Sequence, residues 1–522
     1  MISRKPFRAV LLAGATAVLI SACGSSGGGG ESASSGVNAH PVITAAYTAP
    51  VTTIDPGSAC DIPSYTTIQN LYDELVTTTG VKVQPMLASS WTANSKDTEY
   101  TFQLRHGVTF SSGDPMTSAD VVFSLQYALK QNGCEGYVLN SGFNNEVTSV
   151  KAAGPYTVVV KLRTPDPIFL KTMSQQVVIL DSKVVEAHGG DSKAGARWLS
   201  THAAGSGPFT LTSYEPDDQI VLTARKGYWG GTPAPSKVVI RIVSDPSSME
   251  LLASSGAINM AFDVPLQDLP KVASNANLKV ISNPSQFYYN VGFNVKMAPL
   301  NDLRVRQALT YATPFNQIVS TYGYGYATGT VGPLLPVMPG YQKLPNPYPY
   351  NPAKAKSLLT AAGVEGKSLT MVLQSGYPVE QDIATALQSA WKAVGIHLNV
   401  SVVPPSQFVN EVYNWKDQMY MIKDGPEGSV DPGFFMGYFV QCGNTFNWSN
   451  YCNKTVDSEL AKARTSPDES VSTRLYQQIA RTVTNDAPYL MLLSLDHVVV
   501  TTKGLTGYTY YSDQATRFFH IA

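Results

Sequence analysis

Two hydrophobic rhythms, one of period two and one near 3.6, interleave along the chain. In Tyr100-Thr101-Phe102-Gln103-Leu104-Arg105 every second side chain is apolar, which predicts a strand with one buried face. Phe209 to Leu211 and Ile220 to Leu222 flank Glu215-Pro216-Asp217-Asp218, and that order predicts a hairpin around a polar turn. Val238 to Val243 is nearly continuous and β-branched, as a buried strand would be. Thr117-Ser118-Ala119-Asp120 resembles a capping box, and Val121, Leu125, Ala128 and Leu129 continue at helical spacing. Asn351 is placed to cap a helix that opens with Pro352, carries Ala355, Leu358, Leu359 and Ala362, and stops at Gly363. Ile383, Leu387, Ala390, Trp391 and Val394 form another stripe ending at Gly395, which reads as core. The mixture predicts an α/β or α+β architecture without short internal repeats. Thr321 to Pro352 is rich in Tyr, Pro and Gly and too apolar for a solvated linker, so an ordered, packed loop is expected there.

The N-terminus has a different pattern. Arg4, Lys5 and Arg8 precede an apolar run from Ala9 to Ile20 that is too short to span a bilayer, the layout of a secretory signal peptide. Ile20-Ser21-Ala22-Cys23 resembles a bacterial lipobox, which implies cleavage before Cys23 and acylation of that cysteine. Gly24 to Asn38 is almost all Gly and Ser, the composition of a flexible tether. No later stretch has the roughly 18 uninterrupted apolar residues of a membrane-spanning helix.

Composition narrows the function classes. Charged residues make up 14% of the chain and the net charge is −1, which removes the electrostatic case for a nucleic-acid partner. Beyond Cys23, the cysteines are Cys60, Cys134, Cys442 and Cys452. An even number in an oxidising compartment suggests two disulfides, with three pairings open. Cys442 with Cys452 closes a short loop and is favoured, which leaves Cys60 for Cys134. No CxxC or nearby His cluster supports a metal site, and no cofactor is expected. GxSxG, HExxH and P-loop patterns are missing, so neither catalysis nor ATP hydrolysis is expected of this chain. Ser206 in Gly-Ser-Gly reads as a turn, and His106, His397 and His497 have no partner visible in the sequence.

The run Tyr100 to Phe123, YTFQLRHGVTFSSGDPMTSADVVF, resembles the signature of the family 5 extracellular solute-binding proteins, the oligopeptide, dipeptide and nickel receptors of importers. Leu104-Arg105, Phe110, Gly113 and Asp120-Val121 fall at its expected places. Further landmarks follow in family order. They are Gly205 to Phe209, Phe293-Asn294 with Pro299, Asp302 and Arg304 to Leu309, then Asn351 to Gly363, Gly395-Ile396 and Asn450 to Ala463. The resemblance runs from about Val42 to the C-terminus. There are two departures. Ala312-Thr313-Pro314-Phe315 replaces an Ala-Ile-Asp-Arg-like run, and Met421 replaces a Trp three positions before an aspartate, beside the expected cleft.

The resemblance implies an α/β, two-lobed, periplasmic-binding-protein-like clamp of class II type, with an extra subdomain inserted in the first lobe. It places a signal peptide at 1–22, the lipidated Cys23 and tether at 23–40, and lobe I at 41–84, 205–292 and 495–522. The inserted subdomain is expected at 85–204 and lobe II at 293–494. It implies a monomeric lipoprotein on the outer face of the bacterial cytoplasmic membrane. Such a protein captures peptides, or alternatively another small solute, for the permease and ATPase subunits of an ABC importer. Asp424 matches the family aspartate that pairs with a peptide's α-ammonium group, and Asp431 is the alternative across the Gly425 to Val430 loop. Tyr289 and Asn290 match cleft-lining positions, and Trp415 and Trp448 offer faces for ligand side chains. Each also has a plain structural reading, as turn residue, crossing-point packing or core aromatic.

Overall fold

The computed structural model describes residues 40–79, 82–131, 133–140, 142, 146–425 and 430–522. The expected signal peptide, Cys23 and the Gly/Ser tether lie outside them. At the centre of a sheet of ten strands in sequence of pairing, with Ala327–Thr328 as an eleventh beside Tyr489–Thr502, the two longest strands among the described residues, Leu278–Phe293 and Tyr489–Thr502, pair antiparallel. At one end, Leu278 to Pro284 pairs with Thr502 to Asp496, and the sheet continues through Met260–Ala261, Val42–Tyr47, Lys237–Ile242, Gln219–Ala224 and Phe209–Glu215. At the other, Tyr288 to Gly292 pairs with Ser494 to Tyr489, and the sheet continues through Met419–Asp424, Ser368–Gln374 and His397–Val403. The same two strands therefore serve two lobes. The ladder shifts register between Pro284 and Tyr288 and again at Tyr289 and Asn290, where the strands pass from one lobe to the other. Such irregularities bend and twist a ribbon locally.

Each lobe has its own core. On one side Ile43, Ala45, Tyr65, Ile68, Phe209, Ile240 and Phe518 pack together. On the other, Phe293, Leu309, Leu359, Leu387 and Trp391 do so. Burying each of the larger aliphatic and phenylalanine side chains contributes about 1.5–3 kcal/mol. A third core belongs to a four-stranded sheet of Ala88–Ala93, Glu99–Leu104, Thr157–Leu162 and Val147–Gly154, packed beneath the helix Ser118–Gln131. Tyr100, Phe102 and Leu104 point into it, as the period-two pattern requires.

The local signals act as their chemistry dictates. Thr117 donates to Asp120 Oδ2 from both its backbone N–H (2.8 Å) and its hydroxyl (3.0 Å) at the start of the helix. Asn351 Oδ1 accepts from the Lys354 N–H at 2.9 Å, and Gly363 ends that helix at φ 68°, a left-handed conformation costly for other residues. In the Tyr/Pro/Gly-rich stretch, Leu334, Leu335, Met338, Leu344 and Tyr348 are buried, four of them against the helices Lys454–Thr465 and Glu469–Asp486. Disulfides join Cys60 to Cys134 and Cys442 to Cys452. The Ser206 hydroxyl donates to buried Asp73 at 2.8 Å, and Gly205 and Gly207 lie so close to the Leu71 backbone that a Cβ would clash. This is a packing turn. No helix among the described residues is long and apolar enough to cross a membrane.

Candidate functional site

Strand direction locates the site. In the first lobe Val42–Tyr47 runs parallel to Lys237–Ile242 and to Met260–Ala261. Ala261 pairs with Val500 and Met260 with Thr501, so the carboxyl ends point toward the crossing. In the second lobe Ser368–Gln374 runs parallel to His397–Val403 and to Met419–Asp424. Asp424 pairs with Tyr288 and Met419 with Phe293, so these carboxyl ends also meet the crossing. Open α/β sheets bind ligands outside the carboxyl ends of their strands. Here the carboxyl edge of the first lobe ends at Tyr47 and Ala261 and that of the second at Gln374, Val403 and Asp424, and this topology predicts a ligand crevice between them.

The inserted sheet's side touches the second lobe in this structure. The Tyr137 ring, from the inserted sheet's side, meets Phe434 at 5.7 Å and Phe446 at 5.4 Å. Lys171 Nζ lies 3.8 Å from Asp431 Oδ2. The helix Pro432–Val440 is buried on every side, and it gives Phe434 to the inserted core and Phe435, Met436 and Phe439 to the neighbouring one. It wedges between the lobes.

Asp424 sits at the end of its strand and keeps part of its surface exposed. Its carboxylate accepts from the Gly425 N–H at 2.7 Å and from Tyr288 Oη at 3.3 Å. Burial pushes its pKa up to about 6. No ion-pair partner reaches it among the described residues. Instead its charge bears on the phenols of Tyr288, Tyr413, Tyr420 and Tyr489. A desolvated acid with no ion-pair partner among the described residues favours a cationic partner.

The other expected site residues divide by strand parity, because alternate side chains face opposite sides of a sheet. Asn290 lies on the Tyr288 side, fully buried, and neither end of its amide has a hydrogen-bond partner among the described residues. Tyr289 points the other way into the core of the second lobe, toward Glu380 and Tyr377. Met421 does likewise and is fully buried, so that departure from the family lies in the core and not beside the cleft as expected. Trp448 packs on Tyr413 (5.3 Å) and Tyr420 (5.7 Å) and belongs to the aromatic wall near Asp424. Trp415 is not brought to the crevice. It precedes the strand that ends in Asp424, roughly 16 Å or more away along it, and its indole donates to Asn447 O at 3.0 Å. Asp431 caps the wedge helix, accepting from the Gly433 N–H at 2.8 Å, and faces Lys171. Tyr288, Tyr413, Tyr420, Tyr489, Tyr137 and Phe434 escaped the sequence reading. Only the register of Asp424 with Tyr288 reveals the first of them.

Among the described residues, Cys442, Cys452 and Asp457 bring potential metal ligands within 4.8 Å of one another, but the two sulfurs are bonded to each other and offer no thiolate.

Two lobes joined by a pair of crossing strands define a clamp. The model of the bacterial extracellular solute-binding proteins, family 5 (middle), matches residues 82–447, and the chain belongs to this family. The glutathione-binding protein GsiB of Salmonella paratyphi A is 26% identical over 488 residues, covering 90% of this chain and 91% of that one. The probable D,D-dipeptide-binding periplasmic protein DdpA of Escherichia coli K12 is 28% identical over 470 residues, covering 88% and 89%. Among solved structures, DppA of Helicobacter pylori in complex with the peptide STSA superposes with a TM-score of 0.82 at 25% identity, covering 92% of this chain and 98% of that one. The oligopeptide-binding protein AppA of Bacillus subtilis, in complex with a nonapeptide, gives a TM-score of 0.79 at 23% identity, covering 92% and 98%, and shares the fold.

Proposed function

We propose that this protein is the lipid-anchored receptor of an ATP-driven importer, which captures di- to oligopeptides between its lobes and delivers them to a membrane permease. The observation that carries the peptide reading is Asp424, a desolvated carboxylate at the crevice with an aromatic surround and no ion-pair partner among the described residues. A free peptide N-terminus supplies the missing cation, and lobe closure then excludes water from the pair. Closure is favoured because ligand contacts to both walls exist together only when the lobes approach. Relatives named for glutathione and for a D,D-dipeptide, and a structural neighbour holding the peptide STSA, support the same class of solute.

In this reading residues 41–84, 205–292 and 495–522 form lobe I, 85–204 its insert, and 293–494 lobe II. The long strands that serve both sheet edges support that division. The protein acts as a monomer and not as an enzyme. The lipobox-like Ile20 to Cys23 and the tether behind it support a domain held on the outer face of the cytoplasmic membrane by several acyl chains on Cys23. The test is calorimetric titration of the domain freed of bound solute, with di-, tri- and pentapeptides and their N-acetylated forms. Binding abolished by acetylation and weakened by Asp424→Asn is expected. Heat from oligosaccharides or metal chelates but from no peptide would overturn the peptide reading and leave a receptor for another solute.

A further inference from the structure

Across the crossing from Asp424, four buried side-chain atoms have no hydrogen-bond partner among the described residues: Gln286 Oε1, His497 Nε2, Tyr510 Oη and Gln514 Nε2. They belong to one cluster. Gln286 and His497 sit on the two crossing strands, and Tyr510 and Gln514 on the C-terminal segment that packs against them. His497 Nδ1 lies 3.1 Å from Gln514 Oε1, and the His497 and Tyr510 rings are 5.2 Å apart. Gln286 Nε2 donates to Ser512 O at 2.6 Å, between the other two partners in sequence. Gln286 is 0% and Gln514 8% exposed. The cluster borders the crevice. The His497 ring meets Phe262, at the carboxyl edge of the first lobe, at 6.1 Å. A Cβ on Gly425, next to Asp424, would lie 2.7 Å from Gln286 O.

The chemistry of the four atoms is selective. Gln514 Oε1 is an acceptor, so His497 Nδ1 carries the proton and Nε2 presents a lone pair. Burial holds the imidazole neutral, pushing its pKa down to about 4, with Asp263, Lys423 and Asp513 as the charged groups acting on it. The cluster thus offers two acceptors (Gln286 Oε1 and His497 Nε2) and two donors (the Tyr510 hydroxyl and the Gln514 amide). A carboxylate would leave the acceptors unmatched, and an ammonium the donors. An amide, with an N–H and a C=O on one group, offers a partner to both kinds. Buried polar atoms left unpaired are costly, which makes such a cluster discriminating once the lobes close.

We infer that Gln286, His497, Tyr510 and Gln514 form a second subsite that holds a neutral amide group of the bound solute, either a backbone peptide unit or a carboxamide side chain. The inference rests on the peptide reading only for the choice of ligand. The test uses tetraalanine and three analogues, each with a different amide replaced by an ester, titrated calorimetrically into the full mature domain. We expect the ester penalty to concentrate at one position, at roughly ten- to hundredfold in Kd, and to shrink severalfold or more in Gln286→Met or His497→Phe, each of which removes an acceptor for the lost N–H. Circular dichroism melts check that each variant is folded. An even penalty at all three positions, or one unchanged in both folded variants, would overturn the subsite and assign these atoms to bound water. If tetraalanine gives no heat, the peptide reading fails separately. The subsite is then decided by ¹⁵N NMR of the His497 ring, assigned with His497→Gln, during titration with N-acetylglycinamide. Movement of the ring nitrogens retains the subsite, and unmoved resonances overturn it.

Discussion

Tyr288 donates a hydrogen bond to Asp424 Oδ2 at 3.3 Å, and the two residues are also register partners on adjacent antiparallel strands. The acid is therefore held against a strand shared by both lobes, so its position is tied to the crossing between them. Burial raises its pKa to about 6, and a bound ammonium would lower it again. Peptide binding near pH 6 should therefore release a proton, and at pH 8 it should not. Calorimetry in buffers of different ionisation enthalpy measures this release directly. Peptide affinity should also fall as the pH drops below 6, where protonation removes the charge. Asp424→Asn should abolish both effects and weaken binding of free-amine peptides by about tenfold to a hundredfold. A pH-independent affinity in the wild type would contradict this role.

Glu380 gives a stability prediction of defined sign. It is 1% exposed and accepts from the Lys423 N–H at 2.8 Å, and burial pushes its pKa up to about 8. Its folded pKa lies above the unfolded value of about 4.3. The stability linked to its proton is thus fully present below pH 4.3 and lost as pH rises through 8. Glu380→Gln keeps the acceptor and removes the charge. It should raise the melting temperature at pH 9, by the equivalent of roughly 1–3 kcal/mol, and change little at pH 5. An equal effect at both values would place the cause elsewhere.

The disulfides should differ in worth. Cys60–Cys134 closes 74 residues and Cys442–Cys452 only 10. By loop entropy the first should stabilise by roughly 4 kcal/mol and the second by roughly 3. Paired Ser substitutions, compared by urea unfolding, should preserve that order.

Phe434 is the side chain of the wedge helix that enters the inserted core, against Tyr137. Phe434→Ala should loosen the closed arrangement more than it unfolds either lobe. Small-angle scattering with saturating peptide should show a larger radius of gyration than the wild type. Solute affinity should fall by tenfold or more, for a truncation worth about 3–5 kcal/mol in a core.

Much of this protein was determined by local rules. The alternation at Tyr100 to Leu104, the cap at Asn351 and the stop at Gly363 each follow from neighbours within a few residues, and each stands in the structure as the sequence dictates. The family signature between Tyr100 and Phe123 added the clamp, and with it Asp424. The tertiary structure decided which residues share a face with that acid. Tyr289 and Met421 are turned into one core while Tyr288 and Asn290 lie on the opposite face of the sheet, the side of Asp424, because register between strands distant in sequence sets parity. It also gave Asp431 the role of helix cap and kept Trp415 in the turn before the strand that ends in Asp424. The cluster of Gln286, His497, Tyr510 and Gln514 draws on segments more than 200 residues apart in number. No window of sequence brings those atoms together, since their meeting depends on two strands crossing between lobes and on the C-terminal segment folding back against them.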